Sequence, residues 1–195
     1  DHKDDTYWFY STENAKNGKV ASLQIKNGSF VWNDLVKETS NSIRSVNLIN
    51  GSIAITYLID TFSEVHFYSL DGTFLKTLAM KEKGTISGFG GGLEDTSTYF
   101  SYTNFTTPKK IYELDLVSMS KKIFWEETLK GFNTNDYISD FRFYESKDGT
   151  KIPIHISYKK SLNINETTPV LIYGYGGFNI SILPGFSKRF LSWMN

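Results

Sequence analysis

The feature that most restricts the fold is a set of turn dipeptides set between short apolar runs: Asn27-Gly28, Asn50-Gly51, Asp71-Gly72 and Asp148-Gly149. Asn-Gly and Asp-Gly supply the positive φ angles that two-residue hairpin turns demand. The flanking runs read as strands: Thr6–Tyr10, Lys19–Lys26, Ser42–Leu48, Ile53–Ile59, Glu64–Leu70, Thr98–Tyr102, Lys110–Leu116 and Lys122–Glu126. No convincing helix interrupts them. With 12 Tyr and 15 Phe the palette also favours strands. Short antiparallel strands at roughly 8–12-residue spacing fit a sandwich, a barrel or a propeller. Units that restart near Ile53 and again near Thr98 lean toward propeller blades.

The texture changes near Lys130-Gly131. Ile138–Tyr144 and Lys151–Tyr158 flank Asp148-Gly149 and read as a hairpin, with Pro153 on an edge because it cannot donate to a ladder. Pro169–Tyr173 is a short unbroken apolar run, the pattern of a strand buried on both faces, and Ser187–Met194 reads as a helix. An antiparallel hairpin followed by a buried strand and a helix is how a mixed α/β sheet begins.

Between strand and helix lies Tyr173-Gly174-Tyr175-Gly176-Gly177-Phe178. In α/β folds ligand chemistry sits outside the carboxyl end of such a strand. The loop contains neither a Gly-x-Gly-x-x-Gly fingerprint nor a Walker lysine. In α/β-hydrolases the loop after the third strand supplies an oxyanion donor, and glycines let backbone and substrate approach closely. A tyrosine phenol, with an ordinary pKa of about 10, is a neutral donor near pH 7. Plain turn residues are the competing account of the same glycines.

The remaining candidates read as structural. His66 and His155 lie within strands and His2 at the charged start; Glu64 shares a strand face with His66, but one pair makes neither a metal site nor a triad. The cluster Gly84, Gly88, Gly90, Gly91, Gly92 has no following Lys-Ser/Thr and reads as a blade connection. Asn-x-Ser/Thr occurs at Asn27, Asn50, Asn104, Asn165 and Asn179, matches expected to be unglycosylated. No Gly-x-Ser-x-Gly marks a serine nucleophile. Acidic and basic residues balance at 21 each, so no net field argues for nucleic acid or an anionic membrane. No apolar run approaches the roughly 20 residues that span a bilayer. The absence of cysteine excludes a thiol nucleophile and a thiolate metal site within these residues, and fits a cytoplasmic origin. The start has no methionine and no signal-peptide pattern, and the end falls inside the helix, so the chain reads as a piece of something longer.

The segment Tyr173-Gly174-Tyr175-Gly176-Gly177-Phe178-Asn179-Ile180-Ser181 resembles the prolyl oligopeptidase family of serine peptidases. Ser146-Lys147-Asp148-Gly149-Thr150-Lys151-Ile152-Pro153 matches that family at the expected spacing, and a looser likeness runs from Asn47 to Lys122. The resemblance implies all-β blades, part of a seven-bladed β-propeller, over residues 1–130, followed by the start of an α/β-hydrolase domain over 131–195. It implies a cytoplasmic, monomeric full-length enzyme that cleaves short peptides after proline, with no cofactor and no metal. Tyr175 maps to the tyrosine that donates to the oxyanion, and Phe178 to the phenylalanine lining the proline pocket. The family's catalytic serine, aspartate and histidine map downstream of Asn195, so the segment alone is expected to have no peptidase activity. A related oligopeptidase of other specificity and a non-catalytic propeller interaction module are the competing readings.

Overall fold

The computed structural model describes residues 2–178 and 180–195. Asn179, one of the Asn-x-Ser matches and part of the glycine-loop motif, and Asp1 of the charged start lie outside them. Three four-stranded antiparallel sheets follow one another, each built from one continuous stretch with its strands side by side in chain order. The first contains β1 (His2–Lys3), β2 (Thr6–Ser11), β3 (Lys19–Lys26) and β4 (Ser29–Val36); the second β5 (Ser42–Ile49), β6 (Ser52–Ile59), β7 (Phe62–Ser69) and β8 (Phe74–Thr77). The third contains β9 (Thr85–Gly88), β10 (Ser97–Thr103), β11 (Lys110–Asp115) and β12 (Lys121–Glu126). Repeated four-stranded meanders of this kind are propeller blades. A hairpin of β13 (Tyr137–Glu145) and β14 (Lys151–Lys159) comes next, and the helix α1 (Lys188–Met194) closes the chain. This is the passage from a propeller to a hydrolase domain.

The two cores lie between blades, and β6 serves both. Ile53, Ile55 and Tyr57 point to one side, where Trp8, Val20, Val36, Ile43 and Leu48 join them. Ala54 points to the other, among Val65, Phe67, Phe89, Phe100 and Leu114. Successive side chains on a strand face opposite ways, so a strand clamped between two neighbours is apolar throughout. That is why Ile53–Tyr57 shows almost no polar alternation. The second blade also docks by its turn: Trp8 Nε1 donates to the Leu70 carbonyl at 3.0 Å, which satisfies the indole buried in the first core.

The Asn-Gly turns behave as expected. Asn27 and Gly28 have φ of 50° and 74°, and Asn50 and Gly51 have 46° and 62°. The Asp-Gly turns are wider than a two-residue turn, a correction with a clear cause. Both are Ser-x-Asp-Gly-Thr segments, Ser69–Thr73 and Ser146–Thr150, and only the glycines, Gly72 and Gly149, take positive φ. Gly72 N donates to Ser69 O and Ser69 N to Thr73 O, both at 2.9 Å, and Gly149 and Ser146 repeat both bonds at 2.9 Å. The carboxylates of Asp71 and Asp148 each accept from the threonine N–H two residues on, at 3.0 Å. Those bonds hold the aspartate in ordinary backbone space and pull both carboxyls below the usual carboxylate pKa, with the serine hydroxyl the largest contributor at Asp71.

Two further expectations are corrected. The glycine cluster is a connection between blades only at Gly84, which ends the link from β8 to β9; Gly88 ends β9, and Gly90, Gly91 and Gly92 lie in the turn into β10 of the same blade. The reason is close approach, since a Cβ on Gly88 would lie 2.7 Å from the Tyr99 carbonyl oxygen. The apolar run Pro169–Tyr173 is not a strand, and its side chains are not buried: Val170 is 76% and Ile172 85% exposed. A strand needs a partner ladder as well as an apolar sequence, and among the described residues none is laid beside this run.

Candidate active-site loop and the blade–hairpin junction

The glycine loop leaves the apolar run and passes a groove of about 610 Å³ on its way to α1. Tyr144, Ile152, Ile154 and His155 of the hairpin line one wall, and Tyr173 and Tyr175 of the loop another. Tyr175 is 49% exposed, with its hydroxyl against the loop itself: a Cβ on Gly177 would sit 3.1 Å from it. The absence of a side chain at Gly177 lets the phenol lie there. Phe178 is 91% exposed at a φ of 54° and is not part of the groove wall. Among the described residues the two positions therefore share a loop but not a surface. The Tyr175 phenol is left half-exposed and the Phe178 ring exposed.

His66 and His155 occupy strands, as their positions imply, whereas His2, read as part of the charged start, lies in β1 and stacks on Tyr7. His66 Nε2 lies 2.6 Å from Glu64 Oε1, and its Nδ1 lies 3.4 Å from the Tyr68 hydroxyl, which in turn is 3.3 Å from that of Tyr57. Burial pushes the Tyr57 phenol well above its ordinary value, with the Tyr68 hydrogen bond adding to it. This polar chain fills the rim of the core between the first two blades. Among the described residues no group of three His, Cys, Asp or Glu could hold a metal ion. Asn104, one of the Asn-x-Thr matches, is fully buried, donates to Glu82 and Tyr102, and accepts from the backbone of Thr106 and Thr107. Its amide is committed to a turn and inaccessible to a sugar.

Sequence reasoning did not find the junction between blades and hairpin. Thr61 Oγ1 lies 2.8 Å from His155 Nε2, and the ammonium of Lys83 sits over the rings of Phe62 and Phe141. Thr85 Oγ1 donates to the Pro184 carbonyl at 2.6 Å, and Lys188 pairs with Glu127 at 3.3 Å. These partners lie far apart along the chain and form no local motif.

Residues 1–127 match the family described as prolyl oligopeptidase, N-terminal beta-propeller domain. The chain belongs to the prolyl oligopeptidase family. It is 35% identical over 191 residues to a prolyl endopeptidase of Elizabethkingia meningoseptica, covering 97% of this chain and 27% of that protein. It is 34% identical to prolyl oligopeptidase A of Galerina marginata, covering 99% of this chain and 26% of that one. The apo structure of prolyl oligopeptidase B from Galerina marginata superposes with a TM-score of 0.89 at 27% identity, over 99% of this chain and 28% of that one. A structure from a study of two prolyl endopeptidases and their inter-domain dynamics gives a TM-score of 0.83 at 30% identity, over 99% and 29%. The chain thus spans about a quarter of the length of the curated relatives it matches. The glycine loop lies beyond the residues matched by the propeller family. No helix among the described residues is long and apolar enough to cross a membrane.

Proposed function

We propose that this chain is part of a serine endopeptidase that hydrolyses short peptides on the carboxyl side of proline. In this reading residues 1–130 are the C-terminal part of the propeller and 131–195 the N-terminal part of the hydrolase domain. The full-length enzyme is a cytoplasmic monomer that needs no cofactor. The observation that carries the proposal is the glycine loop itself: an exposed phenol and an exposed phenyl ring, three residues apart, in a family whose relatives are named prolyl endopeptidases.

Tyr175 donates its hydroxyl to the oxyanion of the tetrahedral intermediate. A preorganised donor stabilises that charge more than it stabilises the ground-state carbonyl, so it lowers the barrier. Phe178 packs its face on the substrate proline ring, which is apolar and asks for no hydrogen bond. Because Phe178 stands off the groove in this chain, the pocket requires walls from the remainder of the hydrolase domain. The serine, histidine and aspartate of the triad belong to that remainder too.

The test is steady-state kinetics of the complete protein on matched peptides with proline or arginine before the scissile bond. Preference for proline, reduced by Phe178→Ala mainly through KM, is the expected result. Equal or better turnover of the arginine peptide assigns the chain to an oligopeptidase of other specificity, and no turnover of either assigns it to an inactive propeller module.

A further inference from the structure

The hairpin meets the second blade through a compact cluster drawn from five parts of the chain. Lys83, between β8 and β9, holds its ammonium 4.3 Å from the ring centroid of Phe62 at the start of β7 and 3.9 Å from that of Phe141 on β13. The two rings meet edge to face at 5.4 Å. Alongside, Thr61 Oγ1 and His155 Nε2 are 2.8 Å apart, and the imidazole packs on Phe141 at 5.0 Å and on Phe105 at 5.2 Å. Thr61, Phe62, Lys83 and Phe105 come from the propeller, and Phe141 and His155 from the hairpin. Every contact named here except that of Phe62 with Lys83 crosses, or lies against, the boundary between the two.

The chemistry of the cluster is sensitive to one proton. A lysine ammonium is attracted by the faces of two aromatic rings. A neutral imidazole fits beside it, sharing one hydrogen bond with a hydroxyl. An imidazolium would be a second cation in the same ring-walled space. The elements packed on His155 are the β6–β7 turn, the β10–β11 connection, β13 and the β8–β9 connection. They present Thr61, Phe105, Phe141 and Lys83, and the glycine loop brings the titratable Tyr173 and Tyr175 to the same groove; the charge that acts on the imidazole is that of Lys83.

We propose that Lys83 and His155 form a latch between the second blade and the hairpin, closed while His155 is neutral and released when it is protonated. Burial, and after it the charge of Lys83, hold the His155 pKa below its ordinary 6.5 in the closed arrangement. The open arrangement therefore binds the proton more tightly. The closing free energy is fully present above the ordinary histidine value and is lost as pH falls through the lowered one. Thr61, Phe105 and His155 of the cluster also line the groove that Tyr175 faces, so the latch borders the proposed site without including Tyr175 or Phe178 in its contacts.

Hydrogen–deuterium exchange of the intact protein, corrected for intrinsic rates and read at about pH 7.5 and about pH 5, tests the latch. Amides of Thr61, Phe62 and the β13–β14 hairpin should exchange about threefold or more faster at the lower pH, because the open arrangement takes up the proton that the closed one resists. His155→Gln keeps a hydrogen-bonding group but cannot titrate, and should abolish that dependence. Lys83→Met should speed the same amides at the higher pH, and Lys83→Arg, which retains a cation for the rings, should not. Protection that is equal at both pH values in the unmodified protein, or a His155→Gln protein with the same pH dependence, overturns the latch. The histidine comparison requires no change at Lys83.

Discussion

Phe89 stacks on Phe100 with ring centroids 5.2 Å apart and planes 8° from parallel, although its backbone holds a φ of 66°. Positive φ is an outlier for a bulky residue and costs of order 1–3 kcal/mol. The position is fully buried, with Phe67 edge-on at 6.1 Å and Tyr112 stacked beyond Phe100 at 5.2 Å. Gain from packing in the core between the second and third blades offsets the backbone strain. Phe89→Ala removes the packing and keeps most of the strain, so it should destabilise by roughly 3–5 kcal/mol, the usual cost of a buried phenylalanine. Urea unfolding of the intact protein measures this, and a change below about 1 kcal/mol would show the stack to be incidental.

The twin Ser-x-Asp-Gly-Thr turns make a matched experiment. Gly72 and Gly149 have φ of 90° and 82°, so alanine strains both backbones alike. Their surroundings differ: a Cβ at Gly72 would lie 2.4 Å from the Leu35 carbonyl oxygen, whereas one at Gly149 meets nothing within 4 Å. Gly149→Ala should cost about 1–2 kcal/mol, the left-handed penalty alone. Gly72→Ala should cost a further 1–3 kcal/mol or so, because backbone in the first blade must move. Equal losses from the two variants would mean that blade contact at Gly72 carries no energy.

Much of this fold was legible because each blade is local. The strands at Lys19–Lys26 and Lys151–Tyr158 were bounded by their turns to within a residue. The units read as restarting near Ile53 and Thr98 fall on the second strand of successive blades, so their spacing was right while their start was one strand late. The late start has physical causes. β9 is four residues long and lies inside a glycine cluster that resembles a loop. β4 places Phe30, Val31 and Trp32 in succession with no alternation, and their side chains are exposed. The same limit explains Pro169–Tyr173, whose apolar run predicts burial but cannot supply the neighbouring strands. The candidate loop was legible as a motif, since Tyr175 and Phe178 lie within six residues. The junction was not, because Lys83, Phe141 and His155 meet only after the third blade is complete.

Buried phenols give the protein an alkaline limit. Burial raises the pKa of both Tyr57 and Tyr102 above the ordinary 10.0. The unfolded chain therefore loses these protons first as pH rises. The sign follows: stability is complete below about pH 10 and falls above it, by up to about 1.4 kcal/mol per pH unit for each tyrosine. Tyr57→Phe should be less stable near neutral pH, because it loses the Tyr68 hydrogen bond, yet should decline less steeply above pH 10 or so. Thermal melts across that range decide it, and parallel alkaline slopes for the two proteins would contradict the account.

The most direct test of the central claim is single-turnover and steady-state kinetics of Tyr175→Phe in the complete protein with a proline-containing peptide. The change removes one hydroxyl and leaves the ring in place. A donor engaged only in the transition state should, when lost, lower kcat by roughly ten- to a thousandfold with little change in KM. A kcat equal to that of the unmodified protein would remove Tyr175 from the oxyanion site and leave the glycine loop as a turn.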